Sequence, residues 1–129
     1  MNTLILLALI GVAGGAGSVA RVLLSGWIAS RRSAEFGIWV VNIVGSFAIG
    51  LAFGLWTAAG GGPDAWPILL VTMGFLGGFT TVSTFAFQVL DLANKDALPQ
   101  AGMLAFGSVL SCPALALAGL GLGMALAAG

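Results

Sequence analysis

The run Gly77-Gly78-Phe79-Thr80-Thr81-Val82-Ser83-Thr84-Phe85 sets paired glycines beside four hydroxyls, in the middle of a stretch long and apolar enough to cross a bilayer. Main-chain N–H and C=O groups find no water in a hydrocarbon core. A helix interrupted at that depth therefore survives only where protein covers it or a polar cavity adjoins it. Hydroxyls and freed main-chain groups donate and accept hydrogen bonds without titrating near neutrality. That inventory suits the centre of an ion pathway.

Polar residues in the other spans extend the pattern, since each is costly in lipid unless it is paired or faces water. They are Arg21, Asn42, Ser46, Thr72, Gln88, Ser108 and Ser111. Asn42 and Ser46 stand four apart and share a helix face, as do Ser108 and Cys112. Taken singly, a serine or threonine most often bonds a carbonyl of its own preceding turn. Asn42 is different, because its two donors and its acceptor oxygen exceed what one such bond satisfies.

The missing residue types narrow the chemistry. Glu35, Asp64, Asp91 and Asp96 all fall in loops or at helix ends, there is no histidine, and Cys112 is the only cysteine. A proton-coupled carrier needs a titrating carboxylate at membrane depth, which argues against a small multidrug antiporter and against a proton-translocating rotor subunit. His or Cys metal clusters and triads that use either residue are excluded. So is a disulfide within the chain. An enzyme would lack its acid–base pair, and no feature points to nucleic acid. The remaining hydroxyls, amide, main-chain N–H groups and aromatic ring edges are donors or electropositive surfaces. They fit an anion pathway that is polar but uncharged. Stripping a small anion of water costs tens of kcal/mol by idealised Born estimates, so several donors must replace its shell together. A ring of lysines or arginines would bind such an ion strongly and slow its exit.

Four spans must position these groups. Hydrophobic residues make up 60% of the chain and charged residues 6%, and the mean hydropathy is +1.14. The stretches 4–24, 38–59, 68–90 and 101–128 each meet the roughly 20 residues that a crossing helix needs. The expected fold is an all-α integral membrane protein, a single four-helix transmembrane domain over 1–129 with a break in the third helix. The start, Met1-Asn2-Thr3, lacks the positive region of a cleavable signal, and the apolar run after it is too long for one. Arg31 and Arg32 lie between the first two spans and Lys95 between the last two, with Arg21 near the same side. The positive-inside rule then puts both loops in the cytoplasm and both termini outside. Pairs of glycines four apart, Gly11/Gly15, Gly50/Gly54 and Gly119/Gly123, offer close helix crossings. Pro113 removes one donor from the fourth span and is expected to kink it.

Three ordered motifs carry a resemblance over essentially the whole chain. Gly14-Gly15-Ala16-Gly17-Ser18-Val19-Ala20-Arg21 is similar to a glycine-rich helix ending in arginine. Val41-Asn42-Ile43-Val44-Gly45-Ser46-Phe47 is similar to Val-Asn-x-x-Gly-Ser-Phe, and Gly77 to Phe85 looks like Gly-Gly-x-Thr-Thr-Phe-Ser-Thr-Phe at every specified position but Val82. The chain thus resembles the CrcB/Fluc fluoride channels. The resemblance implies passive fluoride export across the cytoplasmic membrane, which reduces fluoride toxicity. It also implies a dual-topology dimer of two oppositely inserted subunits, with two narrow pores and one structural Na+ at its centre. By position, Asn42, Ser46, Thr81, Thr84, Phe85, Ser108 and Cys112 would line the fluoride pathway, with the ring edge of Phe85 meeting the ion. Arg21 would stand at a vestibule, and the carbonyls of Gly77 and Thr80 would hold the sodium.

The chain also departs from that pattern. Val82 stands where the family has the first of two pore phenylalanines, and an aliphatic side chain has no ring quadrupole to offer an anion. Gln88 replaces a commonly acidic residue, Ala86 a common serine, and Cys112 a hydroxyl one turn beyond Ser108. Subunits that insert both ways need balanced loops, yet Arg31, Arg32 and Lys95 are all on one side. This combination suggests a subunit of fixed orientation paired with a related, oppositely inserted partner, one of whose two pores is degraded. A weakly selective anion carrier or channel on the same fold, and a non-conducting structural subunit, are the alternatives.

Overall fold

The computed structural model describes residues 2–128, which form helices joined by short connections. Helix α1 (Thr3–Ala29) begins after Asn2, whose side-chain oxygen accepts from the Leu4 N–H at 2.9 Å. Helix α2 (Ala34–Ala58) begins after Ser33, whose hydroxyl accepts from the Phe36 N–H at 3.2 Å. Each cap satisfies a donor that a first helical turn leaves without an intrahelical partner. Gly60, with φ 80°, follows the end of α2 in the left-handed region that glycine enters without steric cost.

The third span is compound. Helix α3 (Trp66–Leu69), with Pro67 in its first turn, runs directly into a π-helical segment, Leu70–Leu76, and then into one α turn, α4 (Gly77–Phe79). Thr80 is extended, with φ −82° and ψ 154°. The helix resumes as α5 (Ser83–Asn94). Helix α6 (Leu98–Ala128) then returns across the full span and continues through Pro113. Four apolar helices of membrane length, the third interrupted near its middle, match the architecture expected from the sequence. No sequence feature announced the π-helical segment. Its wider turn is rare and recurs at functional sites.

Large apolar side chains such as Leu23, Met103, Phe106 and Leu117 are exposed. Lipid tails solvate them as well as a neighbouring helix would, so close backbone packing has to hold the bundle together. The α2–α6 crossing supplies it through two of the expected glycine pairs. A Cβ on Gly50 or Gly54 would run into the carbonyl of Ala116 or Leu120, and one on Gly119 or Gly123 into that of Phe47 or Leu51.

The third pair behaves differently. A Cβ on Gly11 or Gly15 would meet nothing within 4 Å. Helix α1 instead approaches the third span through Gly14 and Gly17: a Cβ on Gly17 would collide with the Phe75 backbone, and one on Gly78 with the Gly14 backbone. Gly11 and Gly15 lie on another face of α1, which periodicity alone could not orient because every face of that helix is apolar.

At one end of the bundle, Lys95 Nζ pairs with Asp91 Oδ2 at 2.7 Å. The hydrogen bond that Lys95 donates to Asp91, and then the Asp91 charge, raise the Lys95 pKa, and Glu35 adds a smaller contribution in the same direction. Four successive crossings put the α1–α2 and α5–α6 connections at the same end, where Glu35 opens α2.

Candidate functional site

The break in the third span is built by diverting hydrogen bonds that a continuous helix would make within itself. Thr80 N–H still donates to Leu76 O at 3.0 Å, the last bond of the first half. The next donor, Thr81 N–H, would continue the helix to Gly77 O, but it donates to Asn42 Oδ1 at 2.8 Å. Asn42 Nδ2 in return donates to Thr81 O at 2.9 Å. Thr84 N–H would reach Thr80 O in a helix and donates instead to Thr81 Oγ1 at 3.2 Å. On the opposite side, Gly78 O accepts from Ser18 Oγ at 3.2 Å and, in a longer contact, from Arg21 Nε at 3.4 Å. The second half begins with Ala86 N–H donating to Val82 O at 2.8 Å.

The consequence is specific. The helical donors that belong to Gly77 O and Thr80 O are both spent elsewhere, while the carbonyls of Gly78 and Thr81 have side-chain partners. Asn42 is buried, 9% exposed. Its amide imitates a paired strand segment and locks the extended conformation in place. Gly45, on the same helix, makes room for this: a Cβ there would meet the Thr80 methyl group and the Phe79 ring.

Beside the break lies a cavity of about 440 Å³. Asn42, Ser46 and Ile49 line it from α2, Thr80 to Val82 from the break, Phe85 from α5, and Ser108, Val109, Cys112 and Pro113 from α6. No charged side chain is among them. Ser108 is 6% exposed, and its Oγ has no hydrogen-bond partner among the described residues, a condition shared only with Gln88 Oε1. An unpartnered buried hydroxyl is costly unless a bound species completes it.

The structure thus brings together Asn42, Ser46, Thr81, Phe85, Ser108 and Cys112 around one space. Thr84 is not on that lining, and its hydroxyl instead accepts from Thr81 Oγ1 at 3.1 Å. Ser111 also turns elsewhere, donating to Gly107 O at 2.5 Å and accepting from Trp39 Nε1 at 3.2 Å. Val82 reaches the cavity with its side chain 79% exposed. Arg21 touches the break from the α1 side, half-buried and away from the cavity. Gly77 is exposed on the outer surface of the chain. Ser18 was overlooked at the sequence level, although it stands three residues before Arg21 on the same helix face, which was the available signal.

Among the described residues no three His, Cys, Asp or Glu side chains cluster. A cation at this site would take neutral oxygens, of which the main-chain carbonyls freed by the break are hard donors of the kind that alkali and alkaline-earth ions accept.

A four-span helical protein with a braced break in one helix, and against it a largely apolar cavity set with a few neutral polar side chains, belongs to the class of multi-pass membrane proteins that carry an intramembrane ion pathway. Comparison with known proteins narrows this. Residues 8–120 match the family described as CrcB-like protein, Camphor Resistance (CrcB), and the chain belongs to that family. It is 40% identical over 125 residues to Fluoride-specific ion channel FluC 1 of Leifsonia xyli subsp. xyli, covering 95% of this chain and 87% of the relative. Fluoride-specific ion channel FluC of Phenylobacterium zucineum is 39% identical over 131 residues, covering 94% of each chain. The protein of the same name from Roseiflexus sp. is 40% identical over 120 residues, covering 92% and 93%.

Proposed function

We propose that this protein is a fluoride channel that lets the ion leave the cell passively through the cytoplasmic membrane. The observation that carries the reading is the cavity beside the break, whose polar lining is entirely neutral and ends at the buried, unpartnered Ser108 hydroxyl. A donor of that kind is preformed for a small hard anion and too weak by itself to trap one. Phe85 adds the positive edge of its ring. Family membership supports the same conclusion.

The donor set also fits a central sodium ion. Gly77 O and Thr80 O have lost their helical donors, and Gly77 lies on the outer face, where a second, oppositely inserted subunit would bring its own pair. Four neutral carbonyls would surround a monovalent cation there, and the cation would supply a fixed positive charge near the anion path. The partner is a second copy or a related subunit. Val82 in the cavity, together with Arg31, Arg32 and Lys95 at one end, favours a related partner of opposite orientation, in which the pore served by Val82 is the weaker one.

Reconstitution tests this directly. Liposomes carrying the protein should release fluoride, read by electrode, and retain chloride. One hydrogen bond to an ion contributes about 1.5–3 kcal/mol, so Ser108→Ala should slow fluoride release by roughly 10- to 100-fold. Equal release of both halides, or unchanged flux in the variant, would refute a fluoride-selective pore through this cavity. Free flux from this chain alone would remove the need for a related partner. In that same assay Val82→Phe should raise fluoride release several-fold, because it restores a ring edge to the lining. No gain would mean that the position does not touch the ion.

A further inference from the structure

We infer that Ser18 and Arg21 are positioning residues which, by occupying Gly78 O, determine the carbonyls that the break leaves for a cation. The inference rests on the proposed sodium site and extends it to helix α1.

The geometry begins with glycines. Gly14 and Gly17 let α1 approach the third span so closely that a Cβ on Gly17 would strike the Phe75 backbone, and one on Gly78 would strike the Gly14 backbone. At that separation the short Ser18 side chain reaches Gly78 O at 3.2 Å, and Arg21 Nε, nearly one turn further along α1, reaches the same oxygen at 3.4 Å. One carbonyl therefore receives two donors from side chains 60 and 57 positions earlier in the chain.

That carbonyl sits between the two proposed cation ligands. Left alone, Gly78 O could accept from Val82 N–H and re-form the helix, which would turn Gly77 O and Thr80 O back toward intrahelical donors. It could also swing toward the cation as a competing ligand. The hydroxyl and the guanidinium block both outcomes. Asn42 does the complementary work from α2 by holding both main-chain groups of Thr81. Oxygens held in place before binding lose less freedom when the ion arrives.

A melting experiment separates positioning from simple packing. Protein purified in choline chloride is titrated with NaCl at constant total chloride, and the melting temperature is followed against Na+ concentration. Wild type should gain stability with a defined half-saturating Na+. The double variant Ser18→Ala, Arg21→Gln should need at least tenfold more Na+, with helical content by circular dichroism unchanged, while Ser18→Thr should behave as wild type. Should the double variant fail to fold, Ser18→Ala alone decides, with an expected rise of about threefold. Lower melting temperatures at every Na+ concentration with the half-saturating value unmoved would show that the two residues only pack, and would overturn the inference. A wild-type protein indifferent to Na+ would instead overturn the sodium site, and this inference with it.

Discussion

Asn42→Leu is expected to abolish fluoride release and to lower the stability of the protomer. The substitution keeps the branched heavy-atom skeleton of the side chain but removes both bonds to Thr81, at 2.8 and 2.9 Å. Each buried main-chain group left without a partner costs about 1–3 kcal/mol, so the loss should be about 2–6 kcal/mol. Asn42 is buried, so water replaces its amide poorly. Thr81 N–H has one easy alternative, Gly77 O, and taking it would extend the first helical half and erase the extended turn at Thr80. The cavity lining and the freed Gly77 carbonyl would disappear together. A fluoride-electrode assay and a melting curve on the same preparation check both effects. Near-normal flux in a stable Asn42→Leu protein would show that the break persists without its brace.

Gly17→Ala should be nearly as damaging, though it adds only a methyl group. The obstacle is the Phe75 backbone rather than a movable side chain, so α1 has to withdraw from the third span. Overpacking of this kind costs about 1–3 kcal/mol, and withdrawal also breaks the contacts of Ser18 and Arg21 with Gly78 O. Gly11→Ala and Gly15→Ala are the matched controls. Both face open space, and alanine is the better helix former by about 1 kcal/mol, so these variants should melt at or slightly above wild type. The comparison is between three single methyl groups on one helix. If all three variants melted alike, the tight crossing at Gly17 would be refuted.

The hydroxyl side chains show how far local reasoning reaches. Thr57 and Thr72 bond carbonyls of their own preceding turns, at 2.8 and 2.7 Å, as isolated hydroxyls in apolar helices do. Ser108 and Cys112 share one face of the fourth span and Ser111 stands on another, and spacing alone does not say which of the two faces meets the pathway, because only a neighbour distinguishes them. Trp39 makes that distinction by taking Ser111, which leaves Ser108 and Cys112 on the cavity. Likewise, the residue types of Asn42 and Arg21 marked them as costly in lipid, but nothing in their types says that one holds Thr81 and the other Gly78.

By itself the sequence determined the properties that accumulate along the chain. Uninterrupted hydropathy defined four crossing helices, paired glycines and clustered hydroxyls marked where the third would break, and the absence of deep carboxylates argued against proton-coupled chemistry. Those properties depend on residue type and order alone. Tertiary structure decided which main-chain oxygens lose their donors, which glycines touch backbone, and where a π-helical turn replaces an α turn. In lipid every helix face is apolar, so hydropathy does not reveal which face meets a neighbour. The helix crossings select that face, and with it every hydrogen bond that holds the break open.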